Sequence, residues 1–168
     1  MKLPFSRLSL LFLAAFSQVQ ATTVIAPTFD QLVDEAEVIF QGKVTAVHSQ
    51  WTGEGAQRVI VTLVTFNVEE AMKGNPGQSY TVRMLGGTVN GETIEIADAP
   101  KFNVGDRDIL FVEHNGSQFI PLVGIMHGRF HVQRDQAGYE SVLTNQGKLV
   151  NGLSQFKAAI HQKLQRAR

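Results

Sequence analysis

The chain changes its hydrophobic period twice. Apolar residues first recur at Phe29, Leu32, Val33 and Ala36, the spacing of one helical face. Thr28 stands just before them and Gln31 three positions on. That pairing makes a capping box, in which each side chain satisfies the other's backbone N–H. The pattern predicts a short helix over 29–36. Asp30 falls in its first turn, where the helix dipole favours an anion. Asp34, Glu35 and Glu37 are assigned to its solvated side. From Val38 the period becomes two. Val38, Phe40, Val44 and Ala46 share a parity with Gly42, while Gln41, Lys43 and Thr45 take the other. This predicts a half-buried strand, and the interior glycine predicts a bulge or bend at 42.

"TGEGAQ" reads as a turn into a second strand, "RVIVTLVTFNVEEAM". Ile60, Val64, Phe66 and Val68 lie on one face of it and Val59, Val61 and Leu63 on the other, so part of it is expected to be covered on both sides. "KGNPGQ" turns into a third strand, "SYTVRML". Gly86-Gly87 then permits positive φ or close approach of another segment. "NGE" at 90–92 is a hairpin signal, predicting a small ribbon from 88–89 and 93–96. Ala99-Pro100 and "NVGDRD" turn the chain before a core strand, "ILFVE". "HNGSQ" is expected to turn into "FIPLV", and "GRFHVQRD" and "YESVLT" complete the strands. The period returns to 3.6 at the end. Leu153, Phe156, Ile160 and Leu164 share one face, predicting a helix over 152–166. Asn151 or Ser154 can cap it, and Lys163 and Arg166 complement its C-terminal dipole.

Seven or eight short strands at 8–14-residue spacing in a chain of 168 residues predict one domain. Its expected form is a β-barrel or strongly coiled sheet flanked by two helices. The first segment stands apart. Lys2 and Arg7 precede an apolar stretch from Leu8 to Phe16, and Val19-Gln20-Ala21 ends in small residues at the cleavage positions. This is the layout of a secretory signal peptide over 1–21; the apolar stretch is shorter than the roughly 20 residues a bilayer requires. The mature domain is then 22–168, exported to the periplasm or the medium. It carries 13 basic and 15 acidic residues. That balance gives no basic footprint for nucleic acid, and no membrane attachment is expected after cleavage. With no cysteine in the chain, thiolate metal sites and cysteine nucleophiles are excluded.

Candidate chemistry is sparse. His127 and His131 lie four apart, but on a strand that separates the rings by roughly 13 Å, too far to share an ion. His48, His114 and His161 carry no pattern. Asp106 and Asp108 flank Arg107, with Asp98 nearby, but lack the alternating ligands of a calcium loop; Asp106 after Gly105 reads as a turn residue. Glu69 and Glu70 face opposite sides of a strand. No G-x-S-x-G elbow is present, and Ser117 and Ser154 sit in turn and cap settings. Thr22 would become N-terminal on cleavage, but in a leader rather than at a strand end. "LGGTVNG" lacks the Gly-Lys-Ser/Thr ending of a phosphate loop. Trp51 could anchor a partner or a sugar ring, but packing over the barrel end is the expected role. No catalytic residue, cofactor or metal site is expected.

The ordered blocks "FDQLVDEAEVIFQGKVTAV", "VTFNVEEAMKG", "APKFNVGDRDILFVE" and "LVGIMHGRFHVQRD" resemble an uncharacterised family of small exported bacterial β-barrel proteins. "AEVIFQGKVTAV" and "VEEAMKG" are also distantly similar to the netrin-like, OB-type barrels of metalloproteinase-inhibitor domains. That resemblance implies a five-strand coiled barrel. Those inhibitors chelate zinc through an N-terminal cysteine that this chain lacks, so the activity does not carry over. The expectation is therefore an exported, non-catalytic module binding a protein or peptide partner, with Trp51, Gly86, Gly87 and His127 as the candidate surface. The alternatives are a hydrolase using His127, His131 and an Asp, or an oligosaccharide or small-ligand binder.

Overall fold

The computed structural model describes residues 26–166; the expected signal peptide and Thr22 lie outside them. Helix α1 (Phe29–Glu35) starts on the expected capping box. Gln31 N donates to Thr28 Oγ1 at 3.2 Å and Thr28 N to Gln31 Oε1 at 2.8 Å. Two long strands follow, β1 (Val38–Thr52) and β2 (Val59–Lys73), joined through a 3₁₀ turn at Gly55–Gln57. Their antiparallel register shifts between Gln41 and Gly42. A Cβ at Gly42 would stand 2.9 Å from Asn67 O, so the bulge needs a residue without a side chain. Strand β3 (Ser79–Leu85) leads into a ribbon of β4 (Gly87–Val89) and β5 (Glu92–Ile94). Asn90 and Gly91 turn it with φ of 52° and 86°, both positive as a type I′ hairpin requires. The remaining elements are β6 (Arg107–Val112), β7 (Arg129–Arg134), β8 (Glu140–Thr144), β9 (Leu149–Gly152) and α2 (Leu153–Arg166).

The sheet is open, which corrects the expectation of a barrel and with it both resemblances, to the family of small exported β-barrel proteins and to the OB-type, netrin-like barrels. Seven antiparallel strands run in the order β3-β2-β1-β6-β7-β8-β9, and β3 and β9 are its two edges. The physical reason lies at those edges. Closure would require β3 to pair with a later strand, but its outer edge is occupied by the loop after β6. Asn115 Oδ1 accepts from Arg83 N at 3.0 Å, and Asn115 Nδ2 donates to Thr81 O at 2.8 Å. Leu85 N donates to Phe119 O at 2.6 Å. At the other end β8 and β9 lengthen the sheet instead of returning it.

Burial comes from covering both faces. On one, Ile39, Ile109, Phe111, Phe130, Val132 and Val142 pack beneath α1 and α2. The rings of Phe130 and Phe156 lie 4.8 Å apart. On the other, Phe40, Val64, Phe66, Val82 and Leu110 pack beneath Phe102, Ile120 and Leu122. With apolar residues buried on both sides, β6 needs no barrel to hide them.

Four local expectations are corrected. "FIPLV" forms no strand; Ile120, Leu122 and Val123 are buried, but only Leu122 makes a bridge, to Val112. Residues 149–152 add a strand that precedes α2. Gln41, on the parity expected to be polar and exposed, is buried and donates to Glu69. Lys163 does more than complement a dipole: it bonds Asp34 at 2.9 Å and Asp30 at 3.2 Å, tying α2 to α1. Those two carboxylates hold the Lys163 pKa above the ordinary lysine value.

Candidate functional site

Gly86 and Gly87 turn the chain out of β3 and lay the β4–β5 ribbon over the face of β1, β2 and β3. Their φ values are +96° and +129°, a region that L side chains rarely adopt. Close approach is also realised. Gly86 N donates to Ile60 O at 2.8 Å, and a Cβ at Gly87 would overlap the hydroxyl oxygens of Thr62 and Ser49. Between ribbon and sheet lies a cleft of about 490 Å³ lined by Val47, Ser49, Thr62, Met84, Ile94 and Phe102, among others. Its lining is chiefly apolar. It holds a part-buried hydroxyl pair on the sheet side, where Ser49 Oγ lies 2.9 Å from Thr62 Oγ1 and Thr62 donates to Gly86 O at 2.7 Å, and an exposed one on the ribbon, Thr88 with Thr93 at 2.9 Å.

Strand pairing also gathers charges that are separate in sequence. Asp108 on β6 is the register partner of His131 on β7, and Asp108 Oδ1 lies 3.0 Å from His131 Nδ1. Asp108 is fully buried. Arg129, two residues before His131, donates through Nε to Asp108 Oδ1 at 3.1 Å and through Nη2 to Asp106 Oδ2 at 2.9 Å. Its Nη1 donates to Lys101 O at 2.6 Å, and its guanidinium lies 4.2 Å from the Phe102 ring centroid. The hydrogen bond to Asp108 holds the His131 pKa above the ordinary imidazole value, against an opposing effect of burial. Arg129 therefore pins segment 101–108 to the sheet. That segment supplies Lys101 and Phe102 to the cleft wall. Asp106 is a turn residue as expected, accepting from Asn103 N at 2.9 Å, but it is also part of this ionic group.

The residues singled out from sequence separate into three places. Gly86 and Gly87 line the cleft. Trp51 follows Ser49 on the same face of β1 and pairs across to Ile60; one face of its ring is occupied by the Arg58 guanidinium, 4.3 Å from the centroid. His127 lies in the turn before β7 and lines a different groove, of about 250 Å³, with Pro27, Phe29 and Met126. His131 instead borders a shallow cavity of about 280 Å³ beside Lys101, Asn103 and Asn145. The structure thus joins His131 to an aspartate and leaves His127 apart.

Sequence reasoning weighed Asp108 only as a calcium-loop ligand and did not single out Arg129. Their signal was present as parity. Asp106 with Asp108, and Arg129 with His131, each place two ionisable groups on one side of a strand, and an aspartate inside "RDILFV" demands a buried partner. A second network is centred on Arg107, which bridges Glu69 and Glu140. Hydrogen bonding to Arg107 holds both carboxyls below the usual range. Among the described residues no three His, Asp or Glu side chains are grouped to hold a metal ion, and no helix is long and apolar enough to cross a membrane.

The fold and site define a class: an open antiparallel sheet with two helices on one face and a ribbon-covered cleft on the other. No protein-family model matches the chain, and no curated protein matches it.

Proposed function

We propose that the protein is an exported, non-catalytic binding module that receives an apolar side chain of a protein or peptide partner in the cleft beneath the β4–β5 ribbon. The observation that carries this reading is the cleft itself. Its volume of about 490 Å³ falls in the range of ligand pockets, and an apolar lining with few fixed polar groups is the usual composition of such sites. Gly86 and Gly87 supply the backbone geometry that holds it open to a ligand. Export rests on the charged, apolar and small-residue layout of residues 1–21.

The hydrolase alternative has one observation in its favour, the contact between His131 and Asp108. An aspartate on Nδ1 orients an imidazole so that Nε2 can act as a base. In this group Asp108 is already bonded by Arg129, and the one hydrogen bond of the His131 ring among the described residues runs to Asp108. Among the described residues no hydroxyl is hydrogen-bonded to Nε2 as a nucleophile would be.

The test is capture by immobilised mature chain from envelope and medium fractions, alongside an Ile94→Trp variant that fills the cleft from the ribbon. Recovery of one stoichiometric protein by the native chain, lost with Ile94→Trp, is the expected result. Equal recovery by both would move the site elsewhere. Turnover of a chromogenic ester or peptide by the monomer would replace the reading with the hydrolase.

A further inference from the structure

We infer that the cleft selects a side chain combining an apolar body with one hydrogen-bond donor, an indole or a phenol rather than a carboxylate or a plain hydrocarbon. The inference rests on the proposed function and specifies what the partner inserts.

It follows from counting protons in the hydroxyl pair. A hydroxyl has one proton to donate. Gly86 O can only accept, so Thr62 spends its proton there, at 2.7 Å. In the 2.9 Å contact between the two hydroxyls, Ser49 is then the donor and Thr62 the acceptor. Both protons point away from any ligand. Ser49 Oγ keeps lone pairs free, and among the described residues no N–H or O–H donates to it. Ser49 lines the cleft, so the polar group fixed inside offers an acceptor.

Gly87 maintains this arrangement, because a Cβ there would overlap both oxygens. Charge at the rim does not reverse the preference. Glu95 and Lys101 both line the cleft, but they bond each other at 3.1 Å and are largely exposed. At Ser49 Oγ a carboxylate would meet lone pairs and no free donor; the donors that remain, on Lys101 and in the Thr88–Thr93 hydroxyl pair, lie on the exposed ribbon and rim. A hydrocarbon would leave the Ser49 Oγ lone pairs desolvated with no donor, and a site built for a hydrogen bond rejects the analogue lacking it. An indole or phenol satisfies the oxygen while its ring covers apolar residues such as Met84, Ile94 and Phe102.

The test uses indole and benzofuran, which share a shape and differ in whether the five-membered ring carries a donor. Each is titrated into ¹⁵N-labelled mature chain while the amides of Ser49, Thr62, Gly86 and Gly87 are followed. Indole is expected to move these amides and to bind about fivefold or more tighter than benzofuran. Ser49→Ala should reduce indole to the benzofuran affinity. Thr62→Val should free the Ser49 proton, so that benzofuran gains relative to indole. If both ligands move the cleft amides with equal affinity, or the preference survives Ser49→Ala, the donor rule falls while the cleft stands as a site. If neither ligand moves those amides, the cleft falls as the site and the proposed function with it. Ser49→Ala carries the test alone should Thr62→Val fail to fold.

Discussion

Asp108 and His131 face each other across adjacent strands, Oδ1 to Nδ1 at 3.0 Å, with the aspartate side chain 0% exposed and the histidine 39%. The contact joins the interior to the solvent. His131 is thus the titratable surface end of a network whose other members, Arg129 and Asp106, pin the segment forming the cleft wall.

His131 should make stability pH-dependent in a defined direction. Its folded pKa is raised above its unfolded value, by the hydrogen bond and charge of Asp108 and by the charge of Asp106, against burial and the charge of Arg129. A raised histidine pKa adds stability that is complete below the unfolded value, about 6.5, and lost as pH rises through the folded one. The stability advantage of the native chain over His131→Gln, measured by urea unfolding, should be larger at about pH 5.5 than at about pH 8.5. Partial exposure of the ring keeps the effect small. An advantage that grew with pH would contradict this coupling.

Asp108→Asn should be far more damaging. It keeps the shape but removes the charge facing Arg129, whose side chain is only 9% exposed. Breaking a buried ion pair on one side costs about 3–5 kcal/mol. Because Asp106 still bonds Arg129, the lower end of that range is expected in chemical denaturation. Hydrogen exchange should report faster opening of residues 99–106 than of α2.

Much of the fold was legible because its determinants are local. Thr28 with Gln31, Gly42 within a strand, and Asn90-Gly91 each specify their own geometry within a few residues, and the structure has all three. The elements that misled depend on distant partners. Nothing near Ser79–Leu85 shows that Asn115 occupies its edge, so strand count and spacing suggested a closed barrel. "FIPLV" is apolar enough for a strand, but most of its apolar side chains are buried in a loop against the sheet. The glycine half of the candidate site was legible through its backbone demands. The ionic half was legible only as parity within each strand, because the proximity of Asp108 to Arg129 follows from the β6–β7 register, which parity does not supply.

Asn115→Ala should expose the β3 edge. The side chain satisfies one N–H and one C=O of that strand, and losing such bonds at a part-buried site costs about 1–3 kcal/mol. An uncovered edge is also a template for another chain. Light scattering should therefore show concentration-dependent association exceeding that of the native chain, together with a lower urea midpoint.

Gly42→Ala should destabilise through the backbone. The added Cβ would stand 2.9 Å from Asn67 O and 3.1 Å from the Phe40 ring, and the carbonyl belongs to the paired strand. Overpacking of this kind costs about 1–3 kcal/mol, read as a lower Tm. An unchanged Tm would mean that the bulge can relax.

The contact between α1 and α2 sets an order of events. The ring centroids of Phe29 and Phe156 lie 5.7 Å apart, and Lys163 holds both Asp30 and Asp34. A chain translocated only as far as Gly152 carries every strand but leaves Phe111 and Phe130 without Phe156, the α2 part of their cover. Completion must wait for the final helix, so truncation within α2 should trap a chain that chaperones or proteases recognise, even though the sheet strands are all present.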